Sequence, residues 1–185
     1  MMGDVYRILF VHVPAAWMAM LFFFISFVGS LGYLIRKKIW WDWLAHSAAE
    51  IGVVLNLLAL CLGSIWGKPT WGVWWTWDPR LTTTALLFIM YSGYLVLRRL
   101  YEDTEKRAKL AASVGLLIFL NVPIVYLSVK WWRSLHQVQS SPKTMAPDMV
   151  MALRLGAFSL LGICLLFLYL RMRLAKKETQ WEETL

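Results

Sequence analysis

Five stretches of this 185-residue chain are each long and apolar enough to cross a lipid bilayer, and this limits its possible folds more than any other feature. The hydrocarbon core of a bilayer is about 30 Å thick and takes roughly 17–25 helical residues to span. Residues 13–35 carry no charge, and 48–66, 81–97, 110–129 and 149–170 each hold at most one charged residue. Backbone N–H and C=O groups must pair within the chain in lipid, so only helices or closed barrels can span. The runs do not alternate as barrel strands do. The expected fold is therefore all-α: a polytopic transmembrane bundle of five spans, with residues 1–185 forming one integral membrane domain. Composition agrees, at 59% hydrophobic and 16% charged, against about 45–50% and about 25% in soluble domains. An intrinsically disordered chain is excluded, and a soluble core of this size has no room for so much apolar surface.

The net charge of +8 would suggest nucleic acid in a soluble protein. Here the basic residues lie between apolar runs, where they set orientation in a bilayer, and no nucleic-acid partner is expected. Twelve Lys and Arg fall on one side: Arg36 to Lys38, the group from Arg98 to Lys109, and the tail from Arg171 to Lys177. Seven fall on the other, namely Arg7, Lys68, Arg80, Lys130, Arg133, Lys143 and Arg154. The richer side reads as cytoplasmic, which puts the N-terminus outside and the C-terminal tail inside. The first run is too long for the core of a cleaved signal and reads as a retained span. Cys61 and Cys164 sit singly in apolar runs, with no pattern for zinc, thiol exchange or covalent haem attachment.

Local signals mark the helix ends. Asp78 and Pro79 form an N-cap and first-turn proline for the third span. Pro14 and Pro147 are read in the same way for the first and fifth. Pro123 lies inside the fourth span and should break its hydrogen-bond ladder near Phe119. Asn56 and Asn121 are expected to hydrogen-bond between helices.

Tryptophan is the odd component, with 12 residues. Trp40, Trp41, Trp43 and Trp181 fall on the cytoplasmic side, where interfacial anchoring accounts for them. The remaining eight, Trp17, Trp66, Trp71, Trp74, Trp75, Trp77, Trp131 and Trp132, gather on the outer side, five of them in the loop 66–80. Were that loop helical, Trp71, Trp74, Trp75 and Asp78 would share one face. Such a shelf, with Lys68 and Arg80 near its ends, suits a large planar apolar ligand bearing anionic groups. A surface helix with tryptophan anchors and no ligand is the alternative. Two of the three histidines lie on the same side: His12, just outside the first span, and His136, between the fourth and fifth. Flanking an aromatic shelf, they are a donor pair for the two axial positions of a haem iron, with Arg7, Lys130 and Arg133 as propionate partners. His46 falls on the other side and reads as a surface or capping residue. Signatures of metalloproteases, serine hydrolases, P-loops and dinucleotide-binding folds are absent.

Several stretches carry a resemblance. They are Val11-His12-Val13-Pro14-Ala15-Ala16, Trp66-Gly67-Lys68-Pro69, Trp71-Gly72-x-x-Trp75-x-Trp77-Asp78 running on to Arg80-Leu81-Thr82, and Trp131-Trp132-x-x-Leu135-His136-Gln137. In this order they resemble the haem exporter C (CcmC) family of cytochrome c maturation, one of the haem-handling membrane families with a "WWD" signature. The resemblance implies haem b held by His12 and His136 as axial ligands. Trp71, Trp74, Trp75, Trp77 and Asp78 would cradle the macrocycle, and Arg80 and Arg133 complete the cofactor-binding set. It further implies a non-enzymatic role at the bacterial inner membrane, delivering haem on the periplasmic face to the haem chaperone CcmE. The implied neighbours are the ABC-type subunits CcmA and CcmB, and CcmD. Familiar members have six spans, one more than the five read here. The competing readings are a b-type electron carrier, which would place histidine pairs inside its spans, and a solute permease subunit, which would need paired charges at the midplane. The predicted orientation makes a direct expectation: a reporter active only in the cytoplasm gives signal when fused after Leu185, and one active only outside gives none.

Overall fold

The computed structural model describes residues 3–136 and 145–182; Gln137 of the last motif and Lys143 of the charge count lie outside them. Among the described residues every regular element is helical. A 3₁₀ turn, Gly3–Ile8, leads into α1 (Leu9–Arg36), followed by α2 (Ile39–Trp71), α3 (Pro79–Arg98), α4 (Thr104–Phe119), α5 (Asn121–Trp131) and α6 (Pro147–Glu182). Counting α4 and α5 as one span, five helical segments are long and apolar enough to cross a membrane, as the sequence predicts.

Two boundary expectations change. The first helix begins well before Pro14, because Ile8 to Val11 continue the apolar run and the preceding turn is already helical. Pro14 therefore sits inside α1 rather than at its start, and His12 lies within the helix rather than outside it. Pro14 cannot donate to the Phe10 carbonyl one turn earlier. That carbonyl faces α6 at Gly156, where a Cβ would come within 3.4 Å of it. Pro123 behaves as expected: α4 ends at Phe119 and α5 restarts at Asn121.

The first two helices pack at very short range. A Cβ on Gly29 would lie 2.7 Å from the Ala45 nitrogen and 2.9 Å from the Trp41 carbonyl oxygen. A Cβ on Gly52 would lie 2.7 Å from the Phe23 ring, and one on Gly63 would lie 3.0 Å from the His12 ring. Buried Ala15, Ala19, Ala48, Ala49 and Ala59 continue this small-residue face. In lipid there is little hydrophobic gain from helix association, so close van der Waals packing between small residues takes its place. Next to this seam, Phe22, Phe23, Leu87 and Tyr91 are fully buried, with the Phe23 and Tyr91 rings stacked 4.0 Å apart.

Polar groups tie α3 into the bundle. Asn56 donates to the Thr84 carbonyl at 3.2 Å and Asn121 to the Thr83 carbonyl at 2.9 Å, giving the interhelical role expected of both. At the far end, Arg98 makes two bonds of 2.6 and 2.7 Å to Asp42. Their side chains are only 7% and 4% exposed. Removing one partner of a buried pair leaves an uncompensated charge and costs about 3–5 kcal/mol. Asp42→Ala should lower unfolding stability in detergent by about that amount, while pairing Asp42→Leu with Arg98→Met should recover most of the loss.

Candidate functional site

The tryptophan loop, His12 and His136 meet at one end of the bundle, opposite the Asp42–Arg98 pair. The route taken by the loop is set by two local constraints. Gly72 adopts φ +78° and its N–H caps the Lys68 carbonyl at 3.0 Å, a left-handed helix stop that glycine accepts without steric cost. Asp78 precedes a proline and is extended, which disfavours helix there. Residues 72–78 are consequently not helical, and the single helical face of Trp71, Trp74, Trp75 and Asp78 is not formed. The loop folds back on α2 instead, with the Ser64 hydroxyl donating to the Trp74 carbonyl at 2.8 Å.

The aromatic groups make edge-to-face contacts in place of one flat shelf. Trp66 meets Trp71 at 5.6 Å between ring centres, and Trp71 meets the His136 imidazole at 5.1 Å. Trp75 and Trp77 are paired at 6.0 Å, while Trp74 lies 6.0 Å from the Lys68 ammonium. Trp74 and Trp77 are 57% and 82% exposed, large apolar surfaces with little protein against them. Trp77 and exposed Arg133 line a shallow hollow of about 390 Å³ with Thr76, Pro79 and Leu135, and Asp78 forms part of its wall.

His12 projects from the second turn of α1 onto α2. Its Nδ1 is 2.9 Å from the Ala59 carbonyl oxygen. A carbonyl only accepts, so Nδ1 carries the proton and Nε2 keeps its lone pair. Gly63, one turn beyond Ala59, makes this possible: side chains lean toward the helix N-terminus, and a larger residue there would crowd the imidazole.

His136 is oriented in the same sense by a stronger acceptor. Its Nδ1 is 3.3 Å from Asp78 Oδ1. The same carboxylate accepts from the Arg80 N–H at 2.9 Å, the Ser134 hydroxyl at 3.0 Å and the Leu135 N–H at 2.6 Å. Burial alone would raise the Asp78 carboxyl, but those bonds and the neighbouring His136 hold it below its usual range, so it stays ionised. For His136, burial pushes the imidazole down, Asp78 pushes it up and Arg80 pushes it down again. The net position is below the ordinary value, and the ring is neutral near pH 7, with no bond to Nε2 among the described residues. Arg80 and His136 are both within electrostatic range of the His12 ring.

The fold thus gathers His12, Arg80, Trp71, Asp78 and His136, with Trp74, Trp75, Trp77 and Arg133 on the surrounding surface. Three participants were not singled out from the sequence: the Ala59 carbonyl, Gly63 and the Ser134–Leu135 pair. Backbone acceptors and donors carry no residue-type signal, and Gly63 in an apolar run looks like any membrane-helix glycine. No group of three or more His, Cys, Asp or Glu side chains arranged to hold a metal ion is found among the described residues.

Comparison with known proteins bears on this arrangement. The family described as heme exporter protein C matches residues 1–184. The chain is 36% identical over 187 residues to heme exporter protein C of Bradyrhizobium diazoefficiens, covering 96% of the chain and 70% of that protein. Identity to heme exporter protein C of Escherichia coli K12 is 34% over 185 residues, covering 97% and 75%. A ccmC-like mitochondrial protein of Marchantia polymorpha is 41% identical over 138 residues, covering 75% of the chain and 58% of that protein. A match over nearly the whole chain, reached independently through the family and through individual relatives, places this protein in the heme exporter protein C family.

Proposed function

We infer that this protein binds haem at the tryptophan-loop end of the bundle and hands it on during c-type cytochrome maturation, acting as a delivery subunit and not as an enzyme. The observation that carries this reading is the matched state of the two histidines. Each spends Nδ1 on a protein acceptor and leaves Nε2 as a lone-pair donor, one on α1 and one on the loop after α5. Two neutral imidazoles form a standard axial donor set for haem iron, and a resident metal held by protein side chains alone would want more ligands.

In this reading His12 and His136 would hold the iron of haem b. Trp71, beside His136, and the exposed Trp74, Trp75 and Trp77 supply aromatic surface for the macrocycle. Arg80 and Arg133 supply guanidinium groups for the propionates. Haem, when bound, contributes an iron that needs two nitrogen donors and a planar apolar surface that needs cover. The chain's part is to hold both imidazoles in one tautomer and to keep aromatic faces at the rim. Because much of that rim stands open, a bound haem edge remains reachable by another protein.

The wider setting follows family membership and the charge asymmetry. The protein lies in the bacterial inner membrane with its N-terminus and haem site on the periplasmic side and its tail in the cytoplasm. CcmE is the acceptor, and CcmA, CcmB and CcmD are the complex partners. The b-type electron carrier is disfavoured because the described histidines offer no pair inside the bundle core. The permease reading gains no support from Asp42 and Arg98, which pair at the end opposite the loop.

The spectrum of the detergent-purified protein tests the site. His12→Ala and His136→Ala should each replace the low-spin bis-imidazole spectrum by a high-spin or altered one, with the protein still membrane-inserted. A double variant that keeps the wild-type spectrum overturns this ligand assignment. Gly63→Val offers a subtler check. Its Cβ would press on the His12 ring, so haem retention should fall although no proposed ligand has been altered.

A further inference from the structure

We propose that Asp78 is a positioning residue for His136 and does not contact the haem ring. Its carboxylate is the clasp that fixes the loop, the tautomer and the donor strength of that imidazole. This rests on the reading of His136 as an iron ligand.

Asp78 is 6% exposed, and both of its oxygens are engaged. Oδ2 accepts from the Leu135 N–H, and Oδ1 is shared by the Arg80 N–H, the Ser134 hydroxyl and His136 Nδ1. The His136 N–H in turn donates to the Ser134 hydroxyl at 3.0 Å. Three consecutive residues, Ser134, Leu135 and His136, therefore hang on one side chain at the start of α3. Among the described residues the only other side chain bonding them is the segment's own Ser134 hydroxyl, through the His136 N–H. A carboxylate so occupied is not left free to grip a ligand; its influence on the site passes through the imidazole it orients.

The two histidines are consequently unequal. His12 is braced by a neutral carbonyl between two packed helices, whereas His136, on the connection after α5, is braced by an anion. A carboxylate behind an imidazole makes the opposite nitrogen a stronger donor, and losing such a partner typically lowers metal affinity by about 10–100-fold. His136 is thus the more strongly donating ligand but the less rigidly mounted one, and its hold depends on a single carboxylate.

Asp78→Asn separates these roles. Asparagine caps a helix as well as aspartate, so α3 should start as before, but the negative charge behind His136 is gone. Imidazole ¹⁵N spectra of the haem-free protein give the first readout. The wild type should show His136 protonated at Nδ1, and Asp78→Asn should show a mixture of tautomers while His12 stays unchanged. In the haem-loaded protein, Asp78→Asn should weaken retention at least tenfold and raise the iron reduction potential. Ser134→Ala, which loosens the loop without altering the charge, should weaken retention and leave the potential alone. An Asp78→Asn variant with the wild-type His136 tautomer and potential overturns the proposal. If the wild type accepts no haem, it is the functional reading that fails, and the tautomer experiment still decides whether Asp78 sets the state of His136.

Discussion

The close approach of α1 to α2 underlies everything else in this molecule. At Gly29 the backbone of one helix lies so near the other that even a methyl group would collide with main-chain atoms. In a lipid setting this geometry is a source of cohesion, because apolar side chains gain little by leaving lipid for one another. Antiparallel packing carries the seam along both helices, through Gly29 with Ala45, Phe23 with Gly52 and His12 with Gly63. The last of these contacts belongs both to the core and to the candidate site, so the rigidity of His12 follows from helix packing.

The other half of the site is built differently. His136 lies on a loop, and loops near a membrane surface must satisfy their backbone groups without a ladder. Asp78 does this with one carboxylate that caps α3 and holds three residues 56 to 58 positions further along the chain. The arrangement joins a rigid wall to a clasped one. A protein that must hold a ligand and later surrender it is served by such asymmetry, since one side can open while the other keeps its place.

Much of the fold could be read from the residues. Apolar run length determined the spans, Asp78-Pro79 the start of α3 and Pro123 the break between α4 and α5, because each is a local consequence of hydrogen-bond supply or solvent preference. The face that Trp71, Trp74, Trp75 and Asp78 would share in a helix is not formed. Its spacing of three and four residues fits a helix, yet Gly72 and the residue before Pro79 stop one, and backbone constraint outweighs periodicity over so short a stretch. Pro14 lies inside α1 and not at its start, because the apolar run already begins at Ile8, and the Phe10 carbonyl that it leaves free faces α6 at Gly156.

By itself the sequence determined that this chain is a helical membrane protein, that its surplus tryptophan gathers on one side, and that two histidines share that side. These properties depend on composition and on distances along the chain. Only the tertiary structure decided what each histidine does with its two nitrogens. Which nitrogen is protonated depends on an acceptor 47 residues away in one case and 58 in the other. One of those acceptors is a backbone carbonyl, present at every position and distinguished at Ala59 only by the neighbours that folding brings to it.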